Sequence, residues 1–312
     1  MERYAKKNIM LAVIIPYYKL TFFDETLDSL SKQTDKRFKV YIGDDASIER
    51  PNCLLDRYKG QFDFTYHRFE ENLGSISLTK QWDRCIALSH DEPWIMLLGD
   101  DDYLEDNVVE NFYKNLHNFK NKTNVIRLAS KIYNQDKKEF TKIYIHPIWE
   151  KASDSYFRKF QFLTMSSLSE YIFRRESYLN YKFNDFPLAW YADDMAWIEF
   201  SGNSKIFSIN DAVVVFRFSN LNISGMQNNL EVKDKAKFLF FEKLIKAHVL
   251  KFTHFQKQKL ILEFGITAIA QQRLNYELFF LIVQKLVQNG SFYALAKFIR
   301  RVIIAKFKIT QK

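Results

Sequence analysis

The sequence predicts an α/β protein with a single, mostly parallel sheet flanked by helices and followed by a helical C-terminal extension. Between residues 9 and 130, short apolar runs rich in β-branched residues alternate with stretches whose apolar positions recur every three or four residues. Aspartate clusters stand at the ends of two of those runs, where parallel sheets place their ligands. Beyond about residue 231 the pattern is helical, with no strand signal.

The elements follow in order. Ile9–Ile15 is a continuous apolar run, as a strand covered on both faces requires. Phe23, Leu27 and Leu30 recur at helical spacing, with Thr21 placed to cap that helix. Phe38–Ile42 reads as the second strand, ended by Gly43-Asp44-Asp45, and Phe62–Phe69 as the third. Leu78, Trp82, Cys85 and Ile86 form a helical stripe before the buried strand Trp94–Leu98. Val108, Val109, Phe112, Leu116 and Phe119 give another helix, and Val125–Ala129 another strand. Such a βαβ series implies a largely parallel sheet with helices on both faces. From 131 to 225 periodicity weakens, although Phe140–Ile145 and Ala212–Phe218 are strand-like and Ala192–Trp197 opens a short helix.

The last helix, about Ser291–Lys308, is amphipathic. Phe292, Leu295, Ile299, Val302, Ile303 and Phe307 fall on one side and Lys297, Arg300, Arg301 and Lys308 on the other, with Lys306 and Ile304 out of place. It reads either as a membrane-surface element or as a helix packed on its own domain with a solvated basic face.

Charge follows the same division. The net charge of +9 is concentrated in residues 226–312, which hold 16 Lys/Arg against five acidic residues, whereas 1–225 hold 30 against 32. A basic tail on a near-neutral body suggests an acidic partner surface, nucleic acid or anionic lipid. Two cysteines, Cys53 and Cys85, exclude a disulfide-stapled scaffold and a Cys-rich zinc module. Apolar runs such as Leu278–Val283 are far shorter than the roughly 20 residues a membrane-spanning helix needs. Met10–Ile15 is too short for a signal-peptide core and runs into Pro16, so the expected location is cytoplasmic.

Three consecutive aspartates, Asp100-Asp101-Asp102, raise one another's pKa unless a cation lies among them, and Mg²⁺ or Mn²⁺ held with substrate phosphates relieves the conflict. A solvated turn capping the next helix uses the same residues. Asp44-Asp45-Ala46-Ser47 offers acceptors for a base or ribose, or caps a turn. Asn72-Leu73-Gly74 precedes a helix whose N-terminus and Lys80 are candidates to face phosphate. Asp193-Asp194, at a helix start, offers a general base or ordinary dipole compensation. Glycine-rich dinucleotide and P-loop motifs are absent, as are a nucleophile elbow and metal-spaced histidines.

In this order the segments resemble the family 2 glycosyltransferases of the GT-A fold, the bacterial nucleotide-sugar-dependent kind. Val13-Ile14-Ile15-Pro16-Tyr17-Tyr18 is similar to the family's first strand and Ser29–Thr34 to the end of its first helix. Tyr41–Ser47 resembles the DDGS segment, Asn72-Leu73-Gly74 the NxG turn, Leu97–Leu104 the D-x-D region and Asp193-Asp194 the late acidic pair. The resemblance implies a Rossmann-like sheet, a transferase domain over 1–225 (nucleotide-sugar-binding half 1–130, acceptor half 131–225) and a basic helical region over 226–312. It implies that Pro16, Tyr17 and Tyr18 line the nucleotide site, that Asp45 bonds the base with Asp44 beside it, and that Asn72, Gly74 and Lys80 approach the donor. Asp100 and Asp102 become the D-x-D pair, with Asp101 on the donor sugar or ribose and Asp102, with Asp100, on Mn²⁺ or Mg²⁺. Asp194 becomes the catalytic base beside Asp193, and Trp190, Tyr191 and Trp197 are candidates to stack on an acceptor sugar, or to pack in the core.

The chain departs from the family pattern in places. Ala46 replaces the usual glycine, Lys80 stands where relatives often carry arginine or asparagine, and the late pair is Asp-Asp instead of Glu-Asp. Gly99 occupies the first position of the commoner D-x-D-D run, so the register within 100–102 stays open by one residue. No Gln-x-x-Arg-Trp is present, which points to single-sugar transfer. The implied reaction is an inverting transfer from a nucleotide-diphospho-sugar, a UDP-sugar first among them, to a saccharide or lipid-linked acceptor in surface polysaccharide biosynthesis. Residues 291–308 would meet the inner face of the plasma membrane, and no nucleic acid is expected. The rivals are a metal-dependent nucleotidyltransferase, whose glycine-rich loop is missing, and a non-catalytic basic binding protein.

Overall fold

The structure, a computed structural model, describes residues 10–310, with side chains as far as Lys306. The expected strand residue Ile9 and the side chains of the helix-face residues Phe307 and Lys308 lie outside what is described. The chain forms two compact units: residues up to Asp185 together with Ala192–Gln227, and Phe186–Tyr191 together with the chain from Asn228.

The first unit opens with β1 (Leu11–Tyr17), α1 (Phe23–Ser31), β2 (Phe38–Asp44), α2 (Asn52–Tyr58), β3 (Asp63–Arg68), α3 (Leu78–Ile86) and β4 (Trp94–Leu97). It continues with β5 (Tyr103–Leu104), α4 (Val108–Phe119), β6 (Val125–Asn134), β7 (Glu139–Phe140), β8 (Trp149–Lys151) and α5 (Ala152–Phe160). β9 (Tyr171–Arg174), α6 (Arg175–Tyr181), α7 (Ala192–Phe200) and β10 (Lys205–Phe218) complete it. The sheet runs β3-β2-β1-β4-β9-β6-β10-β5. β1, β2, β3 and β4 are mutually parallel, as are β6 and β10, but β9 lies antiparallel between β4 and β6.

The parallel half is built around β1 and β4, whose sequences are apolar at every position. Leu11 to Ile15 and Trp94 to Leu98 are fully buried, each large side chain contributing about 1.5–3 kcal/mol by leaving water. Trp94 is wedged edge-on against Phe112 and Phe119 of α4, which pins that helix across the sheet. Ser77 caps α3, its hydroxyl accepting the Lys80 N–H at 3.2 Å.

The sequence expectations need correction in four places. Thr21 caps no helix: α1 starts at Phe23 behind Phe22, and Thr21 lines a cavity instead. α2 lacked a long enough apolar stripe to announce itself. Of the strand expected at Phe140–Ile145 only Glu139–Phe140 and a single Ser130–Tyr144 bridge form, because the segment is an exposed edge with little to bury. β10 begins at Lys205, well before Ala212, since its ladder with β6 resumes after an irregularity between Ile209 and Val213.

The second unit is helical: α8 (Leu230–Lys243), α9 (His254–Ala270), α10 (Tyr276–Gln288) and α11 (Phe292–Thr310). Phe298 of α11 packs on Gly265 of α9, where a β-carbon would come within 2.7 Å of the ring. Seating that ring turns Ala294 and Phe298 inward, so Phe292, Ile299 and Ile303 of the expected apolar side remain exposed. No helix among the described residues is long and apolar enough to cross a membrane.

Candidate active site

The carboxyl ends of β1, β2 and β4 meet at a cavity of about 440 Å³ within the first unit, lined by Pro16, Tyr18, Asp45, Asn72, Gly74 and the run Leu98–Asp102, among others. Tyr17 is turned away into the core and its hydroxyl donates to the Glu49 carbonyl at 2.6 Å. Burial raises its pKa further above the ordinary phenol value.

The two aspartates after β2 do different work. Asp44 is fully buried and accepts from the Ser47 N–H at 2.7 Å, the Tyr66 hydroxyl at 2.6 Å and Arg68 Nη1 at 2.8 Å, so it holds the strand end together. Asp45 faces the cavity, and its carboxylate accepts the N–H groups of Leu73 at 2.8 Å and Gly74 at 2.9 Å. Arg84 of α3 also pairs with Asp45, while its guanidinium lies 3.9 Å from the Phe69 ring centre. A β-carbon on Gly74 would stand 2.5 Å from Asp45 Oδ2, so this close approach needs glycine. Ala46 adopts φ 53°, the left-handed conformation that glycine favours. Lys80 is exposed and does not line the cavity; the α3 N-terminus faces Asp185, whose carboxylate accepts from Ser77 and Thr79 at 2.6 and 2.8 Å.

After β4, Asp100 Oδ2 accepts the N–H groups of Tyr18 and Lys19 at 2.8 and 2.9 Å, tying the ends of β4 and β1 together. Asp102 Oδ1 accepts the Arg217 N–H at 2.9 Å and its Oδ2 accepts from Ser169. Asp101 accepts from Asn222 at 3.3 Å. Burial, then the charge of Asp101, pushes Asp100 up to about 7 and Asp102 up to about 8; burial raises Asp101 as well. Gly99 leaves room for the run to fold back, since a β-carbon there would stand 3.0 Å from Asp101 Oδ1.

One buried and two half-buried carboxylates at elevated pKa suit a cation, and the fit depends on the kind of site. Among the described residues no three His, Cys, Asp or Glu side chains converge into a metal cage. Side chains of this run could offer one or two carboxylates to an ion that completes its shell with phosphate oxygens and water, the usual habit of Mg²⁺.

Arg217 lies under this run. Its Nε donates to the Asp101 carbonyl at 3.0 Å and its Nη groups reach Gln135 and Glu25, with the Phe22 ring 4.3 Å away. Arg84, Ser169 and Arg217 were not assigned these roles from sequence, because no local pattern marks a side chain that reaches back across 39, 67 or 115 positions.

Asp193 and Asp194 start α7 and do not line the donor-side cavity. Asp194 is 3% exposed and both its oxygens accept from the Lys159 ammonium, at 2.8 and 2.7 Å. Asp193 is half-buried, and burial together with the neighbouring Asp194 raises it to about 7. Trp197 is a core residue, stacked on Tyr171 at 4.2 Å. Trp190 and Tyr191 belong to the second unit, where Tyr191 stacks on Phe240 at 4.8 Å and Lys233 lies 4.7 Å over Trp190.

A mixed sheet with its strand-end carboxylates gathered at one cavity agrees with the GT-A glycosyltransferase class that the sequence resembles. The family model Glycosyl transferase family 2 matches residues 12–195, more than half of the chain, and the chain belongs to that family. Among solved structures it is similar to Staphylococcus aureus TarS 1-349 in complex with UDP-GlcNAc, with a TM-score of 0.63 and 16% identity over 96% of this chain and 91% of that one. The TarS 1-349 complex with UDP gives a TM-score of 0.56 at 17% identity over the same shares. No curated protein matches the sequence.

Proposed function

We infer that this glycosyltransferase moves one sugar, with inversion, from a UDP-sugar to a hydroxyl of a saccharide or lipid-linked acceptor in surface polysaccharide biosynthesis. The observation that carries the reading is the convergence of Asp45 and Asp100–Asp102 on one cavity at the strand ends. The neighbouring TarS structures hold UDP-GlcNAc and UDP, which supports a uridine nucleotide as the donor.

In this reading Pro16 and Tyr18 flank the nucleotide, Asp45 accepts from the base, and Asp101 meets the donor sugar or ribose. Asp102 and Asp100 would hold Mn²⁺ or Mg²⁺, which when bound stabilises negative charge on a departing diphosphate. The acceptor oxygen attacks the anomeric carbon as the bond to the diphosphate oxygen breaks, and Asp194 takes the acceptor proton. General-base help of this kind is worth roughly 10²–10⁴-fold. Lys159 must release the Asp194 carboxylate as the acceptor hydroxyl arrives. The helices of 226–312 carry the protein to the anionic inner leaflet, where lipid-linked acceptors sit.

The test is a nucleotide-sugar binding and hydrolysis screen with Mn²⁺ or Mg²⁺ on the wild type, Asp102→Ala and Asp194→Asn. Metal-dependent binding of a UDP-sugar that the first variant loses and the second keeps without turnover is the expected result. Absence of nucleotide binding under every metal condition sinks the donor-site assignment.

A further inference from the structure

The second unit carries a groove that the transfer reaction does not use. It runs between α9 and α11 and has a volume of about 620 Å³. Its floor is a row on α9, Leu262, Ile266 and Ile269, spaced four and three residues apart and only half-buried. Such a row offers about 10 Å of apolar track along the helix. Its wall is Lys297, Arg300 and Arg301 of α11, all exposed.

The wall is unusual in its charges. Among the described residues no carboxylate lines the groove, and neither guanidinium has an ion pair or hydrogen bond. Lys297 only lies 4.4 Å over the Tyr293 ring. By contrast, Lys237 and Lys246 of the same unit are each paired with a glutamate at 2.7 Å. Three unneutralised cations beside a half-buried apolar row form a two-part surface, one part for an anion and one for a hydrocarbon.

We propose that this groove binds one anionic phospholipid, with the phosphate on Arg300, Arg301 and Lys297 and an acyl chain along the Leu262–Ile266–Ile269 row. Arginine's planar fork matches phosphate oxygens, and an acyl chain laid on the row removes its methylenes from water. A free phosphate would leave the apolar floor wet. A second copy of the chain would bring the same excess of positive charge. The proposal rests on the reading that these helices meet an anionic leaflet, and adds a discrete site to it.

The experiment uses the full chain and phosphatidylcholine vesicles with and without phosphatidylglycerol, read by co-sedimentation. The wild type is expected to bind only the anionic vesicles, and Arg300→Gln/Arg301→Gln to bind about thirtyfold more weakly. Ile266→Trp and Ala270→Trp fill the groove and keep every charge; Ala270 is exposed, so that variant folds even if the first does not. Both are expected to lose vesicle affinity and to stop binding monomeric dihexanoyl phosphatidylglycerol, with melting curves confirming the fold. Cation-dependent vesicle binding that Ala270→Trp leaves untouched overturns the groove while the leaflet reading stands. Failure to bind anionic vesicles at all overturns both. Complete displacement of the short-chain lipid by inorganic phosphate, or lipid-free self-association blocked by Ala270→Trp, also overturns the proposal.

Discussion

Arg217 Nη2 donates to Glu25 Oε2 at 2.5 Å across 192 positions of sequence, and the same guanidinium holds the Asp101 carbonyl. The last strand of the sheet, the first helix and the aspartate run are thereby joined through one buried cation. Replacing Arg217 by Met removes the bond to the Asp101 carbonyl and leaves Gln135 without its partner. The expected loss of stability is about 1–3 kcal/mol, limited because Glu25 is exposed enough to be hydrated. Donor affinity should fall more than the melting temperature suggests, with Arg217→Lys intermediate. Calorimetric binding of UDP beside thermal unfolding separates the two; equal UDP affinity in a folded Met variant contradicts this role.

Gly74→Ala is expected to weaken donor binding about tenfold or more while leaving overall stability nearly unchanged. The added methyl would stand 2.5 Å from Asp45 Oδ2, and the turn Leu73-Gly74 or the carboxylate must move aside. A shift of this size in a positioned polar group typically costs more than a kilocalorie per mole in recognition. A titration with UDP checks it, and unaltered affinity would show that Asp45 does not face the nucleotide.

Asp193 gives a pH prediction with a definite sign. Its folded pKa of about 7 stands above the ordinary 3.8, because burial and Asp194 disfavour its charge. The folded state therefore binds the proton more tightly than the unfolded chain. Its stabilising contribution is full below pH 4 and fades as pH rises toward 7. Asp193→Asn should lose less stability than the wild type between pH 4 and 8. Chemical denaturation at both ends of that window measures the difference, and parallel curves would refute it.

Lys159 and Asp194 form the other testable pair. Asp194→Asn should lower turnover by roughly 10²–10⁴-fold with donor binding intact. Lys159→Met removes the ammonium from which both Asp194 oxygens accept and leaves a buried carboxylate without that partner, so stability should fall by about 1–3 kcal/mol. Turnover, UDP binding and thermal unfolding of both variants check the pair; undiminished turnover in a folded Asp194→Asn variant would place the base elsewhere.

Much of the fold was legible because strand burial is local. Leu11–Tyr17 and Trp94–Leu97 are apolar at nearly every position, which only a strand covered on both faces tolerates. The aspartates after β2 and β4 were legible as well, since ligands of parallel strands sit beyond their carboxyl ends. What each aspartate does was not. Asp44 and Asp45 are neighbours, yet one braces Tyr66 and Arg68 inside the protein and the other faces the cavity. Alternation along an extended backbone separates them, and their partners come from β3, α3 and the turn at Leu73-Gly74.

The alternation of strands and helices, the positions of the strand-end carboxylates and the basic, helical character of the last quarter follow from local sequence. Each depends on burial pattern or charge within a few residues. That β9 enters the sheet antiparallel, that Arg217 holds Asp101 from 116 positions away, and that Phe298 rather than Phe292 faces the core of the helical unit emerge from long-range packing alone. Those outcomes depend on which distant surfaces fit together. A side chain's partner across the fold is fixed by packing and by the need to satisfy buried polar groups, and no local periodicity records it.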